Sequence, residues 1–164
     1  MDLRYMGDDV LRQKATLVPD IDEGLSRIVE SMFDVMNSAR GVGLAAPQVG
    51  ISQRFFICHA PDDEPRVFIN PEIISTSPEL SAYEEGCLSI PGIYADVVRP
   101  AKIEVQAWDL RGRPFKLEAD GFLARVIQHE YDHLNGVLFL DRLPSKKRSR
   151  LENMFFKQMA RGEK

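Results

Sequence analysis

Residues 120–136 read DGFLARVIQHEYDHLNG, and the reading of this stretch decides the fold. Asp120 stands as a helix N-cap. Phe122, Leu123, Val126, Ile127, Glu130 and Leu134 follow near one helical face, and Asn135-Gly136 is a stop signal, so the spacing predicts a helix beginning near Gly121. Within it, His129-Glu130-Tyr131-Asp132-His133 forms an HExxH pentapeptide. Residues four apart share a helical face, so both imidazoles can reach one divalent ion while Glu130 addresses water at that ion. The chemistry implied is metal-assisted hydrolysis.

Upstream, Leu25, Ile28, Val29, Met32, Phe33, Met36 and Ala39 recur at helical spacing before Gly41, which predicts an amphipathic helix over 25–39. The segments 54–59 (RFFICH) and 66–70 (RVFIN) are rich in β-formers and separated by the turn residues APDDEP, as in two strands of a hairpin or meander. Residues 101–107 alternate apolar with polar, turn around Arg111-Gly112-Arg113-Pro114, and alternate again through Phe115, Leu117 and Ala119, a second antiparallel hairpin in which Trp108 reads as packing. Residues 144–162 carry Leu151, Met154, Phe155 and Met159 at helical spacing and predict a terminal helix. With strands first and the HExxH helix late, the fold class is α+β. Mainly antiparallel strands pack around a central helix carrying HExxH, with one helix in the N-terminal half and one at the C-terminus.

The chain has 164 residues, and no repeat, low-complexity tract or Gly/Ser linker divides it, so a single domain over 1–164 is expected. Two cysteines are too few for a disulfide-stapled secreted fold and fit a reducing compartment. No run approaches the ~18 apolar residues that span a bilayer, and the N-terminus, MDLRYMGDDV, has neither a basic leader nor a signal-type apolar stretch. The cytoplasm is the expected location, with no membrane partner. The net charge of −4 argues against general nucleic-acid binding, and no specific DNA binding is expected. That average is uneven: residues 1–143 carry a net −9, and residues 144–164 a net +5.

A catalytic metal needs a third protein ligand and an open position for water. HEYDHLNGVLF follows the metzincin pattern through Gly136, but Phe139 stands where that pattern needs its third His. Downstream acids that another zinc-protease reading would take are Asp141 and Glu152; upstream candidates are Cys58, His59 and Cys87. Cys58 reads as a buried core thiol and His59 as a surface residue at a strand end. Cys87 lies in EEGCLSIPG (84–92), whose glycines and proline permit close backbone approach and fixed turns. After the first helix, GVGLAAPQVG (41–50) is a small-residue loop in which Gln48 offers an amide donor; it lacks the Lys-Ser/Thr and the spacing of phosphate-binding loops.

GVGLAAPQVG, EGCLSIPG (85–92) and QHEYDHLNG (128–136), in this order and spacing, resemble the three signature motifs of the peptide deformylases, and the likeness extends over essentially the whole chain. The SIP after Cys87-Leu88 and the added terminal helix are similar to the type I, bacterial-like branch. The resemblance implies removal of the N-formyl group from the initiator methionine of new polypeptides, with release of formate. It implies that Cys87, His129 and His133 bind one divalent ion with water as fourth ligand. The resemblance implies Fe2+ as that ion in the cell, with Zn2+, Ni2+ or Co2+ able to occupy such a site in purified protein. By the same resemblance Glu130 would take and return a proton, and the oxyanion would meet the Gln48 side-chain amide and the backbone N–H of Leu88. Val42, Gly43 and Gly86 would hold an extended peptide by its main chain. The methionine pocket would be lined by Val42, Tyr83, Glu85, Phe122, Arg125, Val126 and His129. Arg125, where some relatives carry an aliphatic residue, is expected to arch over the rim with its stem on the pocket. Asp132 reads either as an acceptor for Arg99 or as a solvated helix charge.

Two other functions compete with this reading. One is an HExxH metallopeptidase of another family, with its third ligand after His133. The other is a non-enzymatic module whose basic terminal helix binds RNA or the ribosome and whose metal is structural. The tail would also let an enzyme of nascent chains dock on the ribosome.

Overall fold

The structure, a computed structural model, describes residues 1–162; the last two residues of the predicted basic tail lie outside them. Ten principal elements follow one another: α1 (Glu23–Ser38), β1 (Gly43–Ala45), β2 (Phe55–Cys58), β3 (Arg66–Thr76), β4 (Leu80–Cys87), β5 (Ile90–Pro100), β6 (Lys102–Trp108), β7 (Pro114–Asp120), α2 (Gly121–Leu134) and α3 (Ser145–Ala160). The α+β class is as expected. Five strands form one antiparallel sheet in the order β1-β2-β3-β6-β7, and β4 pairs with β5 as a separate hairpin.

β2 is buried on both faces, which is why RFFICH is apolar without alternation. Phe55 and Ile57 face a cluster containing Leu25, Val29, Met32 and Met36 of α1, whereas Phe56 and Cys58 face one containing Ala124, Val126 and Ile127 of α2. The Asp22 carboxylate caps α1 by accepting from the Leu25 N–H. A third cluster joins Ile90, Ile93 and Val97 of β5 to Leu151 and Phe155 of α3. Met154, expected on the inward face of α3, is instead 41% exposed, because one turn of this helix reaches the core at Leu151 and the next at Phe155.

Three expectations need correction. The small-residue loop contains β1 and a 3-10 turn at Ala46–Val49, and EEGCLSIPG closes the β4–β5 hairpin; glycine and proline hid all three strands. Asp120 holds the N-cap position without a side-chain capping bond. It is the last residue of β7, paired with Lys102, and the strand turns into α2 through Gly121 at φ 56°. Trp108 lies at the end of β6 and is 37% exposed, a rim residue more than a packed one.

Candidate metal centre

α2 runs through the middle of the protein, and Arg125, Gln128, His129, Glu130, Asp132 and His133 are all buried on it. Buried polar groups at this density must be paired or hold a cation. His129 and His133, one turn apart, point toward Cys87 at the tip of the β4–β5 hairpin. The three ligand atoms lie within 4.8 Å of one another, and Cys87 Sγ is 3.4 Å from His133 Nε2. A tetrahedral ion with ordinary metal–sulfur and metal–nitrogen bonds places such a pair roughly 3.5 Å apart, so the donors fit one divalent ion with a position left open. Among the described residues this is the group of His, Cys and acids that converges in this way. Cys58 is fully buried in the sheet, Asp141 is held by Arg12 and Arg148, and Glu152 by Arg148, so the downstream acids lie outside the cluster.

Glu85 orients the first imidazole. Its Oε1 accepts from His129 Nδ1 at 2.8 Å, which turns Nε2 toward Cys87. The same carboxylate accepts from Arg99 at 2.7 and 3.0 Å and from Arg125 at 2.6 Å. Burial opposes its charge, but the bonds from His129 and Arg99 outweigh that and hold its carboxyl far below the usual range. Arg99 also reaches Asp132 at 2.8 Å, and Arg142 grips Asp132 from outside at 2.7 Å. Asp132 is therefore an ion-pair acceptor, not a solvated charge. Burial also opposes a charge on His129, yet Cys87, Glu130 and Glu85 around it raise its pKa; His133, buried beside that charge, is lowered.

Glu130 lies beside the donors. Its Oε1 has no partner among the described residues, and burial pushes its carboxyl up to about 7. A Cβ on Gly43 would come within 2.5 Å of Glu130 Oε2, so this glycine makes room for the carboxylate. Gln48 reaches in from the 3-10 turn, with Nε2 3.5 Å from Cys87 Sγ. These groups floor a cleft of about 630 Å³ whose walls include Val42, Gly43, Gly86, Leu88, Phe122 and Val126. It opens between β1, which ends the five-stranded sheet, and β4, which pairs with β5 in a separate hairpin.

Two residues assigned to the methionine pocket are placed otherwise. Arg125 does not arch over the rim: its guanidinium is buried and donates to Glu85, to the Val97 carbonyl at 2.8 Å and to the Ser81 carbonyl at 2.9 Å, leaving only part of the side chain to the cleft wall. Tyr83 lies outside the cleft lining, because its ring stacks with that guanidinium at 5.1 Å. Glu85 reaches the lining but spends its oxygens on His129 and two arginines. The sequence reading passed over Arg142, Tyr94 on the rim and Ser89 beneath Gln48. The inward alternation Ile93, Ala95, Val97, Arg99 along β5 was a signal that Arg99 is buried.

The two thiols differ in a way that can be counted. Burial, reinforced by the Glu130 carboxylate, pushes Cys58 up to about 12, so it stays a protonated, inaccessible thiol at ordinary pH. In metal-free Cys87→Ser protein, a thiol reagent at neutral pH should find no reactive group until denaturant is added, and one thereafter. A reactive thiol in the folded variant would contradict this placement of Cys58.

A family model described as Polypeptide deformylase matches residues 1–149. The peptide deformylase of Treponema pallidum (strain Nichols) is 51% identical over 148 residues, covering 90% of this chain and 91% of that protein. Among solved structures, the peptide deformylase of Thermotoga maritima superposes with a TM-score of 0.85 at 48% identity, over 87% of this chain and 97% of that one. That of Synechococcus elongatus, in complex with actinonin, gives 0.89 at 50% identity over 95% and 84%. The matched span takes in all three motifs and every donor of the cluster, and it stops within α3; on this ground the chain belongs to the peptide deformylase family.

Proposed function

We propose that this member of the family hydrolyses the formyl amide at the N-terminus of formyl-methionyl nascent polypeptides, releasing formate and a free amine. The observation that carries the reading is the convergence of Cys87, His129 and His133 beside the buried Glu130 carboxylate, whose Oε1 has no partner among the described residues, with Cys87, His129 and Glu130 lining a cleft between two strand edges.

A divalent ion held by Cys87, His129 and His133 supplies, when bound, a Lewis acid that polarises a carbonyl and makes water more acidic. The chain's own groups do the rest. Glu130 takes a proton from water as its oxygen bonds to the formyl carbon, then passes that proton to the amine nitrogen as the C–N bond breaks. Burial in this apolar site opposes the Glu130 charge and raises its carboxyl above the ordinary carboxylate range, which suits it to both transfers. Gln48 Nε2 and the Leu88 N–H donate to the oxygen on which negative charge develops. Backbone groups of Val42, Gly43 and Gly86 hold the peptide as an added strand, so sequence beyond methionine is tolerated. Phe122, Val126 and the aliphatic part of Arg125 receive the methionine side chain.

Formate release from formyl-Met-Ala-Ser tests the reading. Glu130→Ala should lower turnover at least about 100-fold, and Gln48→Ala about 100- to 1000-fold, with metal content unchanged. Gly43→Ala should also cost on the order of 100-fold, because it displaces the carboxylate without removing it. Near-normal turnover in Glu130→Ala would refute the mechanism. Cys87→Ser should lose the metal, whereas a metallopeptidase ligated downstream of His133 would keep it.

We infer Fe2+ as the cellular ion. The sulfur and two nitrogens also suit Zn2+, Ni2+ and Co2+, and selection then follows availability. Protein purified without oxygen should carry iron and lose activity in air as the ion or Cys87 oxidises. Full activity in air with zinc alone would count against iron.

We place the enzyme in the cytoplasm, where it meets nascent chains, and its basic terminal segment at the ribosome. Lys146, Arg150 and Lys157 are exposed and share one stripe of α3, opposite to the use of Leu151 and Phe155 in the core. Reversing these three charges should weaken co-sedimentation with ribosomes at low salt while leaving peptide turnover intact. Unchanged co-sedimentation would remove the docking role. Deleting α3 is the poorer test, because it strips Leu151 and Phe155 from the core.

A further inference from the structure

Gln48 is 1% exposed, and its carboxamide is held at both ends. Its Oε1 accepts from the Ala45 N–H at 2.9 Å. A backbone N–H can only donate, so this bond fixes which end of the amide is oxygen. Nε2 therefore faces Ser89 Oγ at 3.1 Å and Cys87 Sγ at 3.5 Å. An amide nitrogen carries two hydrogens: here one goes to Ser89 Oγ, and the other rests on Cys87 Sγ until a formyl oxygen beside the sulfur takes it over. Ser89 is itself completely buried, and its carbonyl accepts from the Met6 N–H at 2.9 Å, so the hydroxyl sits on anchored backbone.

We propose that Ser89 is a positioning residue that acts through Gln48: by taking one amide hydrogen it aims the other at Cys87 Sγ and at the space beside the sulfur that the formyl oxygen enters. This rests on the deformylase reading, and it adds a second task for Gln48. An N–H directed at a thiolate draws charge from the sulfur and weakens its donation to the ion, which leaves the ion a stronger Lewis acid. One hydroxyl therefore sets both the oxyanion donor and the electron density on the sulfur ligand. A hydroxyl that merely filled space would do neither.

A double-mutant cycle on the metal-loaded enzyme tests this. With formyl-Met-Ala-Ser, Ser89→Ala should lower kcat about tenfold with little change in KM. In a Gln48→Ala background the same change should lower kcat by less than about twofold, because the residue it acts through is gone. Ser89→Gly, a second variant without the hydroxyl, should behave alike. In Co2+-substituted protein the thiolate-to-cobalt charge-transfer band should move to longer wavelength in both Ser89→Ala and Gln48→Ala. Independent, multiplicative losses in the double variant, wild-type kcat in Ser89→Ala, or an unmoved cobalt band overturns the proposal. Absence of formate release by the wild type defeats the deformylase reading instead, and the cobalt band then still decides the positioning role.

Discussion

The carboxylate of Glu85 takes hydrogen bonds from His129, Arg99 and Arg125 while it is 5% exposed, and the rest of the site depends on this interaction. The two histidines sit on α2, the cysteine on the β4–β5 hairpin, and these elements belong to different packing layers. Apolar contacts fix α2 against the five-stranded sheet and β5 against α3. Long polar side chains tie one assembly to the other: Glu85 to His129, Arg125 to Glu85, Val97 and Ser81, Arg99 to Asp132. Removing one partner from such a buried network typically costs about 3–5 kcal/mol, because the remaining charge is left without water or counterion. The arginines do more than balance charge. They keep Glu85 ionised, so it remains an acceptor for the His129 Nδ1–H and the opposite ring nitrogen remains available to the ion.

The glycines of the first two motifs follow from how closely these layers approach. At Gly43 a Cβ would meet Glu130, at Gly41 it would meet Leu88 at 2.6 Å, and at Gly86 it would meet the Tyr94 ring at 2.5 Å. Each marks a point where a side chain of the site lies directly on the backbone of a neighbouring element. Missing side chains thus allow the nucleophilic centre, the oxyanion donors and the strand edges to share one cleft.

The elements legible in the sequence were those whose periodicity or β-forming composition reflects burial: α1, α2, α3, β2, the first half of β3 and the β6–β7 hairpin. β1, β4 and β5 were obscured because the residues that adapt them to the cleft, Gly41, Gly43, Gly86, Pro91 and Gly92, are also turn signals. Within the site, His129 and His133 could be paired from a spacing of four. Cys87 could not be separated from the other candidates by composition, and the ordered motifs singled it out. Of the ion-pair network only Arg99 was legible, from its place in the inward alternation of β5; for the others, nothing in the residue type distinguishes a buried arginine from a solvated one. Arg125 was placed over the rim on general amphipathic behaviour, whereas three acceptors inside the protein, on Glu85, Val97 and Ser81, outcompete water for its guanidinium.

The central claim is that one hairpin sulfur and two helix imidazoles hold a single catalytic ion with a position left for water. X-ray absorption on the zinc-loaded protein tests it most directly. The account predicts one sulfur near ~2.3 Å and three nitrogen or oxygen neighbours near ~2.0–2.1 Å, with the sulfur shell lost in Cys87→Ser. A shell with no sulfur, with two sulfurs, or with sulfur retained in Cys87→Ser would contradict it.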